Sequence, residues 1–389
     1  MQSYEKKKLK YETKDTEFVF KAIRASADSY FAKEKNKKFA NNFMWFKCIS
    51  LTVLVAFSYY LVLHSNGLLM LTASYLLLGF SFLTLGINIG HDAAHHCLTG
   101  KKSIDSLIFQ LVFGLQGMSG YLWQLRHNLS HHIFPNVNEN DSDLDLTPLL
   151  LITPNQKVYW FHKYQHIYAP FLYGVFSLLY IFAQDILSFF KKEHGNLRIV
   201  KIPTIEWIKL FSIKALYVFN FIVLPAYLTS FSISQVLLAF VCMHFILSIY
   251  LSFTFFISHH VSEVDYFDTL PQEPVIGNSW IKHQIITTID FHPDNKFANF
   301  LFGGFNLHIA HHIFPDVSHV HYPALTRIIR TTLNEYHLDW YKSFSFLDGI
   351  KSHLRHLKNK ATEIMNSKEN LDNDALEDEM FSSHITEAV

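Results

Sequence analysis

Cysteine is scarce in this 389-residue chain: Cys48, Cys97 and Cys242 are odd in number and far apart. That count gives no support to a disulfide framework or a cysteine-ligated zinc ribbon. Charge is thin as well, at 17% of residues, and the 33 basic and 33 acidic side chains cancel. No positive surplus advertises a nucleic-acid partner, and none is expected. The opening MQSYEKKKLKYETKD is polar and basic and lacks the apolar core of a secretory signal.

Apolar residues fill the space instead. Half of the chain is hydrophobic and 16% aromatic, with 37 Phe and 19 Tyr, richer than an ordinary soluble domain. Runs at 44–63, 68–89, 208–228 and 236–257 each approach the length of about 20 residues that crosses a bilayer core as a helix. The short breaks at 64–67 and 229–235 make them two helical hairpins. Lys47 stands near the start of the first run, and Lys209 and Lys214 near the start of the third, where they can snorkel to the interface. The run 107–122 is interrupted by Gly114, Gly117 and Gly120 and is too short to span. The run 169–183 is expected to lie in the interface, because a fifth crossing would separate the histidine clusters described below. An amphipathic helix is expected at 17–34, on Phe18, Ala22, Ala25 and Tyr30, solvated at the membrane surface.

Lys6, Lys7, Lys8 and Lys10 and the loop 191–201 are basic, whereas both hairpin turns lack Lys and Arg. The positive-inside rule therefore opens both hairpins to the cytoplasm and puts both termini there. The expected fold is all-α and integral to the membrane: four transmembrane helices in two hairpins with a cytoplasmic helical cap. Residues 1–42 form a cytoplasmic segment and 43–358 the membrane domain. The acidic stretch 359–389, with Glu369, Asp372, Asp374, Glu377, Asp378 and Glu379, is expected to lack fixed structure.

Histidine is in excess, with 24 copies. Three clusters stand out: His91, His95 and His96; His127, His131 and His132; and His308, His311 and His312. The first two read H-x-x-x-H-H and the third H-x-x-H-H. Random placement would give one such pattern about 0.1 times in a chain of this composition. Histidines three or four apart share a helix face, and the adjacent third points beside them. Each cluster thus aims two imidazoles at one point, which suits a pair of neighbouring metals. The clusters follow the predicted spans, so the topology brings them together. Imidazole ligation alone admits Zn, Cu, Fe or Ni. His64, His194, His337, His353, His356 and His384 stand alone and read as surface residues. Asp92 is equally suited to orienting a ligand imidazole or to capping a helix.

With these boxes the chain resembles the membrane fatty acid desaturase family. Gly90 to His95 is similar to the family's first box, and Trp123 to Asn136 to its second. Gly303 to Pro315 is similar to the third box of acyl-CoA and front-end desaturases, together with His283-Gln284 upstream and His321-Tyr322-Pro323 downstream. The resemblance covers roughly residues 15–345. It implies two iron ions held by His91 and His95; His127, His131 and His132; His308, His311 and His312; and His259 after the last span, in preference to His260. His96 has no fixed counterpart and is assigned to the surroundings of the site. The sequence departs from the family in two places. Phe255 stands where some relatives hold a water through Asn, and the third box begins with His308 where front-end members usually have Gln.

The resemblance implies O2 as co-substrate and a fatty-acyl chain, carried on CoA, a lipid or a carrier protein, as substrate. No His-Pro-Gly-Gly haem motif occurs in the sequence. Electrons are therefore expected from a separate donor such as cytochrome b5 or ferredoxin. Breaking unactivated C–H bonds exceeds what side-chain acid–base catalysis can do. A hydroxylase on the same centre is the nearest rival. A membrane metal-binding protein or transporter is the other, although polar residues inside the spans are few, His244 being the main one. The polar stretch 136–145 is read either as a head-group or donor contact or as a solvated loop.

Overall fold

In the computed structural model, residues 4–12, 16–33, 37–144, 147–153, 156–268 and 275–386 are described, with side chains to Ser367. Among the described residues, four helices are long and apolar enough to cross a membrane: Asn42–Leu63, Leu68–Ala94, Thr204–Leu228 and Ile233–His259. Local chemistry sets their starts. The Asn41 side chain accepts the Met44 N–H, and Ser232 with Gln235 forms a capping box. The first long helix packs along the second and the second along the fourth, with Leu71, Tyr75, Leu78 and Phe82 buried among Val236, Phe240 and Met243. Their outer faces present Phe46, Ile49, Leu69 and Ile246, as helices bathed in lipid would.

The third long helix widens into a π turn at Phe219–Val223. Such a turn loosens the backbone hydrogen-bond ladder. Two tyrosines from neighbouring helices meet the carbonyls there: Tyr59 donates to Asn220 O and Tyr75 to Phe221 O, both at 2.7 Å. Lys214 does not snorkel as expected. It is buried and pairs with Asp185 while donating to Gly117 O. Lys47 is buried too, 3.1 Å from His319 Nε2 and over the Phe300 ring.

The apolar run at 169–183 is part of a bent pair, Trp160–Gly174 and Phe176–Phe190, which meet at 66°. Strand Tyr4–Lys6 pairs antiparallel with Leu197–Ile199, Glu5 opposite Arg198. The two basic segments used to orient the chain thus meet in one small sheet and lie on the same side.

Helices Trp280–Ile286, His308–Ile313 and Tyr322–Glu335 gather beyond the ends of the second and fourth long helices, where His91 and His259 stand. The N-terminal helix Glu17–Lys33 packs on Tyr322–Glu335. Its buried face is Val19, Ile23 and Ala27, and Phe18 and Ala25 are exposed. The expected face was therefore wrong: the β-branched residues go inward because a protein surface covers them, not a membrane. The final helix runs Phe346–Thr386, and Ala361 and Ile364 are buried on it.

Candidate metal centre

The second long helix carries a π turn, Gly86–Gly90, immediately before His91. The glycine pair before the third box makes room for it. Gly303 (φ +58°) lies so close that a Cβ would stand 2.5 Å from Ile87 O, and its backbone is one that glycine adopts most readily. The first box and the third are thereby pressed together.

A second π turn, His127–His131, forms the second box, with His132 N–H donating to His127 O at 3.0 Å. This wider turn takes His131 off the face of His127. The two histidines consequently serve different clusters, which corrects the expectation that residues four apart converge. His127 joins His91, His95 and His311. His131 joins His259, His308 and His312. In each group the ring nitrogens lie within 4.8 Å of one another. His132 sits between the groups, its ring 4.4 Å from that of His311 and 4.5 Å from that of His312. In the third box His308 and His312 share one face, and His311 points to the other cluster. All nine histidines singled out in the sequence are brought together.

Partners fix the rings. Asp141 accepts from His131 Nδ1 at 3.1 Å, Thr287 O from His259 Nδ1 at 3.1 Å, and Gln284 Oε1 from His312 Nδ1 at 2.9 Å. Tyr322 OH lies 3.1 Å from His311 Nδ1. Each partner leaves Nε2 to face the cluster, as the outer hydrogen bonds of metal-binding imidazoles do. The Nε2 atoms of His312 and His259 are 3.1 Å apart, and those of His91 and His127 3.2 Å. His95 Nε2, His132 Nδ1, His308 Nδ1 and His311 Nε2 are buried with no hydrogen-bond partner among the described residues. Each orphan would cost about 1–3 kcal/mol. A donor set of this kind fits metal ions.

The electrostatics agree. Burial lowers His95 to about 4, and burial with the crowding of like imidazoles holds His127, His132, His308, His311 and His312 well below the ordinary value. This favours the neutral imidazole, which has a lone pair to offer. His131 is the exception. Burial alone would lower it, but Asp141 and Asp143 overturn that and raise it to about 9.

Other residues fall outside the clusters. His96 adopts a left-handed backbone (φ 57°) and joins neither cluster. His260 pairs with Tyr266 OH at 2.7 Å. Asp92 orients no cluster histidine; it accepts from Ser318 Oγ and His319 Nδ1, and from the His319 N–H at the start of the short helix His319–His321. Phe255 packs its ring against Phe305. His64 and His337 are exposed, but His194, His353 and His356 are buried. His353 is held between Tyr173 OH and His260 O, a place that an isolated histidine gives no sign of. The His384 side chain lies outside the described residues. The polar stretch from Asn136 is not a solvated loop: Asn136, Asn138, Asn140, Asp141 and Ser142 are buried, and Asn136 donates to His259 O and Thr287 O. Asp141 and Thr287 are hydrogen-bond partners of the clustered histidines that the sequence did not signal.

From the clusters a cavity of about 420 Å³ extends between the long helices. Phe82, Ile87, Leu251, Phe255 and Phe305 line it with the histidines, so its walls are chiefly apolar. An apolar cavity with a few convergent polar groups at one end is the usual form of a small-molecule site.

Comparison with known proteins points the same way. The family model described as fatty acid desaturase matches residues 65–344. An acyl-lipid (8-3)-desaturase of Physcomitrium patens is 30% identical over 91% of this chain and 74% of its own length. Acyl-lipid (8-3)-desaturase B of Dictyostelium discoideum is 30% identical over 77% of this chain and 66% of its own. An sn-1 linoleoyl-lipid 6-desaturase of Synechocystis is 26% identical over 87% and 94%. Since the matched region takes in all three histidine boxes and the residues that hold them, the chain belongs to the fatty acid desaturase family.

Proposed function

We propose that this protein is a fatty-acyl desaturase that inserts a double bond into a lipid-linked acyl chain at a di-iron centre. The observation that carries the reading is the pair of four-histidine clusters at one end of an apolar cavity. His91, His95, His127 and His311 would hold one ion and His131, His259, His308 and His312 the other, with His132 between them. Iron bound there would supply the oxidising power that unactivated methylenes require. The balance is one O2, two electrons and two protons, together with two hydrogens from adjacent methylenes, giving two waters and one double bond. The protein's own part is positional. The apolar walls exclude water and hold the acyl chain, and Asp141, Thr287, Gln284 and Tyr322 keep the rings in one tautomer. A separate electron donor completes the cycle. The printed names of the relatives favour a lipid as acyl carrier. Both hairpins open to the cytoplasm in this reading, the bent pair lies in the interface, and residues 43–358 form the membrane domain.

Expression in a host that lacks the activity, followed by mass spectrometry of its fatty acids, tests the proposal. Loss of two hydrogens from an acyl chain is expected. Gain of one oxygen instead would make the protein a hydroxylase. Purified protein without iron would refute both.

A further inference from the structure

The face of Ile233–His259 records how far the cavity reaches. His259, Phe255, Leu251, Leu247 and His244 line it in turn, at the three- and four-residue steps of one helical face. From His259 to His244 the helix advances about 22 Å at a rise of about 1.5 Å per residue. One turn further on, Phe240 does not line the cavity. It is buried, and its ring stands 4.5 Å from that of His244. Along this helix the cavity therefore closes at His244.

What closes it is polar. His244 Nδ1 lies 2.7 Å from Ser177 Oγ, and His244 Nε2 lies 2.9 Å from Tyr217 OH. Ser177 Oγ is 2.5 Å from Ser248 Oγ, and the Ser177 N–H donates to the same oxygen at 3.0 Å. All four side chains are buried. They come from three elements: the bent pair just past its bend, the third long helix and the fourth. A histidine in the middle of an apolar helix is costly, and such residues are retained for function. Leucines would fill the same space more cheaply, but they would yield by changing rotamer. A fully satisfied polar network rigidifies what it joins, and this one fixes the depth of the cavity to the backbone of three helices.

We propose that the Ser177–His244–Tyr217–Ser248 network is the floor of the acyl site and sets the length of chain that the enzyme accepts. This rests on the acyl-desaturase reading, and its test separates the two. The protein and its variants are expressed in the same host, fed acyl chains that differ in two-carbon steps, and the desaturated products are profiled for length and double-bond position. His244→Ala, which removes the floor, should raise the ratio of long to short products by about tenfold or more, since one methylene in an apolar pocket is worth at least that. Tyr217→Phe keeps the volume and cuts one anchor, so it should shift the ratio in the same direction by a smaller factor; it also serves should His244→Ala fail to accumulate. Double-bond position counted from the carboxyl end should stay constant, because the histidine clusters are untouched. Unchanged ratios, or equal loss of products of every length, would overturn the floor assignment. Absence of desaturated product from the wild-type protein would instead remove the acyl-desaturase reading on which it rests.

Discussion

At the scale of single residues, the contrast between His259 and His260 is the sharpest handle on the metal centre. The two are adjacent, yet one faces His312 at 3.1 Å and the other turns to Tyr266. Iron per chain, measured by atomic emission on purified protein, should fall in His259→Ala and stay at the wild-type level in His260→Ala. The opposite result would reassign the ligand. Asp141 offers a second test, because its carboxylate holds the His131 ring. Asp141→Asn should lower iron affinity or activity by about 10–100-fold; wild-type values would show that the carboxylate is dispensable. The histidines themselves were legible in the sequence because they are clustered at helical spacings. Asp141 was not, since a run of Asn, Asp and Ser reads as solvated until the fold buries it. Asp92 was singled out for its place beside His91, and the fold gives it to His319 instead.

At the scale of elements, the helix of the third box depends on a buried carboxylate. Asp290 Oδ1 accepts the Ile309 N–H at 2.9 Å, and Tyr341 OH donates to its other oxygen. Burial, only partly offset by these bonds, raises its pKa from 3.8 to about 7. The folded state therefore holds the proton more tightly than the unfolded chain does. The Asp290 contribution is most favourable below about pH 4, declines as pH rises to about 7, and is constant above, a loss on the order of a few kcal/mol. Thermal unfolding in detergent should show that decline, and Asp290→Asn should flatten it. A slope equal in both proteins would exclude Asp290 as its source. The long helices were legible from apolar runs alone, with ends near the caps. The π turns were not: nothing in the spacing of His127 and His131 announces that the backbone widens there, and that widening decides which cluster each one joins.

For the whole molecule, four apolar helices and two basic segments joined in one sheet lead to a specific topology. In a cysteine-free background, a thiol placed at Asn66 or Ser230, in the two proposed hairpin turns, should react with an impermeant maleimide from outside the cell. One at the exposed Lys192 should react only after permeabilisation. Labelling of all three from the same side would break the two-hairpin arrangement. The four long apolar helices were readable from composition, whereas the burial of Lys47, Lys214 and the N-terminal helix was not, because each depends on a partner far away in sequence. The widened turn at His127–His131 has a consequence at this scale too. The second and third boxes each give histidines to both clusters, so neither cluster is complete until both boxes are in place. Filling one organises at least half of the other. Occupancy should then be all or none, and a half-loaded protein should be a fleeting species, with the chain acting as a single lock that closes on two ions at once.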